Sequence, residues 1–126
     1  MQKQEYCFDV VPKPAPRLVY SDKWSKRPTA TKYYNYKNTL IFLAKLNRFV
    51  LQPEMELIFE MPIPKGGSKK QQEEYRQRLG TPHQQKPDID NLIKGFMDAM
   101  AKEDSHVWNI SARKVWAKDG KIKVIA

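Results

Sequence analysis

The chain predicts one small domain spanning residues 1–126 that contains both helices and strands, the α/β (α+β) class. Three observations carry that expectation. Ile89, Leu92, Ile93, Phe96, Met97 and Met100 fall at the i, i+3, i+4, i+7 spacing of an amphipathic helix over residues 89–101. Met55 to Met61 alternates, with Met55, Leu57, Phe59 and Met61 on one face and Glu56, Ile58 and Glu60 on the other. That is the pattern of a strand with one buried face. Residues 107–117 and Ile122 to Ile125 flank Lys118-Asp119-Gly120-Lys121, and an Asp-Gly pair between two such runs predicts a hairpin.

The remaining elements follow in order. Tyr6 to Val11 predicts a short strand, ended by Pro12, Pro14 and Pro16, with Cys7 as a small core residue. Residues 12–30 predict a loop in which Trp24 stands among Lys23, Lys26 and Arg27. Residues 31–50 predict a helix with an imperfect apolar stripe, its tyrosines 33, 34 and 36 packing inward. Residues 65–86 form a low-apolar insert, bracketed by Gly66-Gly67 and Gly80-Thr81-Pro82, that holds one short helix at most. It carries Lys65, Lys69, Lys70, Arg76, Arg78 and Lys86, and the expectation is a mobile basic arm that contacts DNA. His83, within it, predicts a solvated or hydrogen-bonding loop residue rather than a ligand, with DNA contact as its one further role. Trp108 and Trp116 share strand parity, which predicts packing or a dimer contact.

Charge narrows the function. The chain has 23 Lys and Arg against 14 Asp and Glu, a net charge of +9 and a pI near 9.7. That balance points to a polyanion, nucleic acid before membrane. The longest apolar run, Leu40 to Ala44, is far short of the ~20 residues of a spanning helix. Cys7 is the only cysteine, so no internal disulfide forms, and a reducing, cytoplasmic setting is expected.

Against this basic background, Lys86 to Lys94 (KPDIDNLIK) concentrates acid. Each residue has a structural account. Asp88 stands where a helix N-cap belongs, Asp90 suits the positive end of the helix dipole, and Asp90 with Lys94 makes an i,i+4 pair. As a set they say more. Neighbouring carboxylates repel, and a divalent cation removes the conflict. Oxygen donors of this kind suit Mg2+ or Mn2+, which take a few carboxylates, waters and a phosphate. Asp104, past the end of the helix, is a third candidate ligand if the chain passes back towards the site. Acids with a metal on a basic body are the equipment for phosphodiester hydrolysis, and Lys94 could stabilise charge on the phosphate.

Lys86 to Met100 (KPDIDNLIKGFMDAM), followed by Glu103-Asp104, resembles the RusA-type Holliday junction resolvases, many of them phage-encoded. The pattern is Asp-x-Asp-Asn-x-x-Lys, then Asp-Ala, then an acidic pair before a strand. The resemblance is good over about residues 53–124 and looser before that. It implies a small fold with a mixed sheet flanked by helices, and a homodimeric endonuclease of a bacterial or phage-infected cell, dependent on Mg2+ with Mn2+ able to substitute, that resolves four-way DNA junctions by paired symmetric incisions in recombination, repair or phage DNA processing. It implies catalytic carboxylates at Asp88, Asp90 and Asp104 and an essential lysine at Lys94. For the third acid, Glu103 and Asp98 stand as alternatives. Pro87-Asp88 with Asp119-Gly120-Lys121 also matches the PD…(D/E)xK nuclease pattern, but Asp119 reads as a turn tip. The competing class is a non-catalytic basic DNA-binding module, whose acids are caps and ion pairs.

Overall fold

The computed structural model describes residues 3–16, 28–100 and 103–126. The cluster around Trp24 lies outside them. The elements are β1 (Glu5–Phe8), α1 (Pro28–Asn47), β2 (Glu54–Pro62), α2 (Lys69–Gln77), α3 (Ile89–Met100), β3 (Asn109–Ala117) and β4 (Lys121–Ile125). The mixed α+β class is therefore the one observed.

The four strands form one sheet in the order β1-β4-β2-β3. β2 is central, parallel to β3 (Phe59 opposite Lys114) and antiparallel to β4 (Phe59 opposite Ile122). The expected hairpin of the last two strands is thus not formed, because β2 lies between them. β2 is the most apolar strand, and its Ile58 is buried on the face opposite Phe59. A strand apolar on both faces gains most from pairing on both edges. The Asp119-Gly120 connection crosses past β2, and a Cβ on Gly120 would lie 2.8 Å from the Cα of Val11. Glycine is required there by close backbone approach.

One face of the sheet carries the core. Met55, Leu57, Phe59 and Met61 of β2, Ile122 and Val124 of β4 and Phe8 of β1 are all buried, as are Leu92 and Phe96 of α3 and Leu40 of α1. Phe8, Phe49 and Phe96 meet edge-on or tilted at 5.6–6.2 Å, a geometry aromatic rings favour. The opposite face is more open. It holds Cys7, exposed rather than in the core because its neighbours Tyr6 and Phe8 take the inward parity. There Lys123 pairs with Glu60 at 3.1 Å and Arg113 with Glu56 at 3.8 Å.

α1 begins at Pro28, a residue preset for the first helical position. It stops three residues before the expected end. Arg48 has φ 53°, Phe49 N–H donates to the Ala44 carbonyl and Arg48 N–H to that of Lys45. This is a Schellman cap built on arginine instead of glycine. It turns Phe49 into the aromatic cluster. Tyr33 and Tyr36 are buried as expected, whereas Tyr34 is exposed.

Candidate active site

The acidic motif is delivered by a junction between the sheet edge and α3. α2 starts with a capping box, in which Gln71 N–H donates to Ser68 Oγ and Ser68 N–H to Gln71 Oε1. The box offsets the unfavourable placing of Lys69 and Lys70 against the positive end of the helix dipole. Beyond α2 the chain turns at Gly80, φ 83°, and runs along the outer edge of β3. Gly80 N–H donates to the Trp116 carbonyl (2.8 Å), Trp116 N–H to that of Thr81 (3.0 Å) and His83 N–H to that of Lys114 (3.0 Å). The expected arm is corrected to this extent. Its return limb, residues 80–83, belongs to the sheet edge, because the outer strand offers unpaired backbone groups. Lys65, Lys69, Lys70, Arg76, Arg78 and Lys86 are all exposed, and Arg76 pairs with Glu73 at 3.3 Å.

His83 is 6% exposed, its ring 4.3 Å from that of Trp116, so it is not the solvated loop residue expected. Trp108, in contrast, is 73% exposed. Burial, and then the charge of Lys114, pushes the His83 imidazole below its usual value of 6.5. The folded chain thus refuses a proton that the unfolded chain accepts. The stability His83 contributes is present above about pH 6.5 and is lost as pH falls below it. A plot of Tm against pH is expected to fall below about pH 6.5, and His83→Phe, which keeps a ring against Trp116 but cannot titrate, to flatten that fall.

Lys114 reaches forward from β3, its ammonium donating to the carbonyls of Gln85 and Pro87, both at 2.7 Å. Asp88 comes next, and its carbonyl accepts Leu92 N–H at 3.2 Å, opening α3. Asp88 thus occupies the N-cap position, but no side-chain hydrogen bond of Asp88 or Asp90 is found among the described residues. Both carboxylates are exposed, and with Gln84, Gln85, Lys86 and Lys114 they line one open groove of about 550 Å3. Lys94 is exposed one turn beyond Asp90, and the expected Asp90–Lys94 pair is not among the described ion pairs. Gly95 faces the other way, where a Cβ would lie 3.0 Å from the Lys13 carbonyl. The segment before α1 crosses α3 there, and Ala15 N–H donates to the Asn91 carbonyl.

Asp104 is placed elsewhere. α3 has 12 residues, about 18 Å of axis, with Asp88 and Asp90 at its start and Asp104 beyond its end. The chain passes back only after Asp104, as β3, which leaves Asp104 at the far end of α3. Val107 N–H donates to the Asp104 carbonyl, Trp108 N–H to that of Pro53, and His106 lies beside the Leu51 carbonyl. Among the described residues no three His, Cys, Asp or Glu side chains stand close enough together to hold a metal ion. Asp88 and Asp90 are brought to one groove and Asp104 is not. Of the alternatives, Glu103 is engaged by Ser105, whose hydroxyl and N–H hold its carboxyl below the usual range. Asp98 accepts a 3.1 Å hydrogen bond from the Tyr33 hydroxyl, which fastens α1 to α3. Asp119 borders a different hollow, with Lys65, Arg76 and Lys118.

Two residues of the site, His83 and Lys114, were missed by sequence reasoning as a pair, since only the sheet edge joins them. No helix among the described residues is long and apolar enough to cross a membrane. Comparison with known proteins gives the class of the chain. The family described as Endodeoxyribonuclease RusA matches residues 8–125, and the chain belongs to that family of endonucleases that resolve Holliday junctions. None of the curated proteins matches.

Proposed function

We propose that this RusA-family endodeoxyribonuclease uses Asp88 and Asp90 to hold a divalent cation, Mg2+ or Mn2+, and makes paired symmetric incisions in four-way junctions as a homodimer. One observation carries the reading. Two exposed carboxylates, with no side-chain hydrogen bond among the described residues, line one groove on a chain of net charge +9. Mg2+ is satisfied by one or two carboxylates together with waters and phosphate oxygens, so the pair fits it. When bound, the ion polarises the scissile phosphate and lowers the pKa of an attacking water.

The chain's own residues supply the rest. Lys65, Lys69, Lys70, Arg76, Arg78 and Lys86 bind the DNA backbone, which makes affinity fall steeply with salt. Lys94 stabilises charge on the phosphate oxygens. Asp104 joins the site from a second copy. One chain separates it from Asp88 and Asp90 by about the length of α3, whereas a two-fold dimer with antiparallel α3 helices can bring each Asp104 to the partner's acidic pair. Such a dimer would carry two sites for two incisions.

Mixing subunits tests this. Asp90→Asn and Asp104→Asn are each expected to be inactive. Refolded together in equal amounts, half the dimers are mixed and each holds one intact site of two, giving about a quarter of the native sites. Single nicks should reappear in a labelled junction. Two inactive variants with no rescue on mixing would contradict the shared site, and an active Asp104→Asn would remove Asp104 from it.

A further inference from the structure

We infer that Lys114 is a positioning residue for the proposed metal site: it staples the turn at residues 83–87 to β3 and so fixes where the Asp88 carboxylate stands. The inference rests on the reading of Asp88 and Asp90 as cation ligands. Lys114 grips the turn at three points. Its backbone carbonyl accepts His83 N–H at 3.0 Å, and its ammonium donates to the Gln85 and Pro87 carbonyls at 2.7 Å each. Those two carbonyls lie within three residues of Asp88 and point at a strand, not at another part of the turn. Charge-assisted hydrogen bonds are the strong ones, and here one half-buried side chain makes two. Two of its three N–H groups are thereby committed to backbone, which leaves little for phosphate. At its far end the turn is seated by His83 against Trp116, so 83–87 is held by β3 throughout. Without the ammonium, the turn before Asp88 loses its only described side-chain hydrogen bonds to the sheet. Groups that orient metal ligands commonly set metal affinity by ~10–100-fold when removed.

The experiment compares wild type, Lys114→Met, Lys114→Arg and Asp88→Asn in three ways. These are Mn2+ affinity by calorimetry without DNA, the Mg2+ concentration giving half-maximal junction cleavage, and junction affinity in EDTA. For Lys114→Met the expected result is metal affinity at least ~10-fold weaker and the half-maximal Mg2+ raised to match. Junction affinity in EDTA should be unchanged, since two of the three Lys114 N–H groups are already committed to backbone carbonyls. Lys114→Arg, which can still donate to both carbonyls, should recover most of the metal affinity, and it decides the matter if Lys114→Met fails to fold. Native metal affinity in Lys114→Met, or weakened junction binding in EDTA with an unchanged Mg2+ requirement, would overturn the inference. The latter would make Lys114 a phosphate contact. Metal binding untouched by Asp88→Asn would instead overturn the reading of the carboxylates.

Discussion

Asp90→Asn is expected to lower junction cleavage by at least ~10²–10³-fold, the range for removing one group that stabilises charge in a transition state. The substitution keeps the shape of the side chain and leaves an uncharged polar group in the first turn of α3, so the fold should change little. It removes one of the two carboxylates lining the groove. Binding should move the other way. On a chain of net charge +9, a carboxylate lining the groove repels a docking phosphate when no cation is present, so junction affinity in EDTA should hold or rise. Single-turnover cleavage and a gel-shift titration separate the two effects. Loss of both together would mean that Asp90 is needed for structure.

Phe96→Ala should give the largest loss of stability. Phe96 is 0% exposed, with Phe8 5.6 Å and Phe49 6.2 Å away, and it joins α3 to the sheet and to the turn that ends α1. Truncating such a ring costs about 3–5 kcal/mol, out of a total of about 5–15 for a domain. The expected fall in Tm is roughly 10–20 °C for a chain of this size. Because Phe96 lies six residues along α3 from Asp90, the cavity also loosens the helix that carries the site. At low temperature, where the variant stays folded, cleavage should survive. Calorimetry and a cleavage assay at 10 °C and 37 °C check both statements, and a loss below ~1 kcal/mol would mean that the aromatic cluster repacks.

What the sequence made legible was what depends on local period. β2 and α3 appear where alternation and the helical stripe put them, and the inward set of β2, from Met55 to Met61, is the observed core face. Residues 118–121 misled because a turn signal does not name the partner strand. Asp119-Gly120 connects β3 to β4, but the apolar β2 takes the place between them. The end of α1 misled for a similar reason. Its cap uses Arg48 in the left-handed region, and only the burial of Phe49 makes that worthwhile.

The candidate site was half legible. Asp88, Asp90 and Lys94 sit within seven residues, so spacing alone puts them at one helix end. Lys114 lies 20 residues beyond Lys94, and its role depends on parallel pairing of β3 with β2 and on an edge limb at residues 80–83. No single-residue pattern encodes that. Its inward parity beside Ala112 and Trp116 was a usable signal, since a lysine facing the covered side of a sheet needs acceptors. Asp104 was found by motif, and its distance from Asp88 and Asp90 follows from helix length.

If Asp88 and Asp90 bind the cation on which cleavage depends, junction cleavage requires both the cation and the carboxylates. The most direct measurement incubates an end-labelled four-way junction and a matched linear duplex with the protein in Mg2+ or in EDTA, beside Asp90→Asn. Paired, symmetric nicks are expected in the junction alone, present in Mg2+ and absent in EDTA and in the variant. Cleavage in EDTA, or cleavage by Asp90→Asn at the native rate, would contradict that role of the carboxylates.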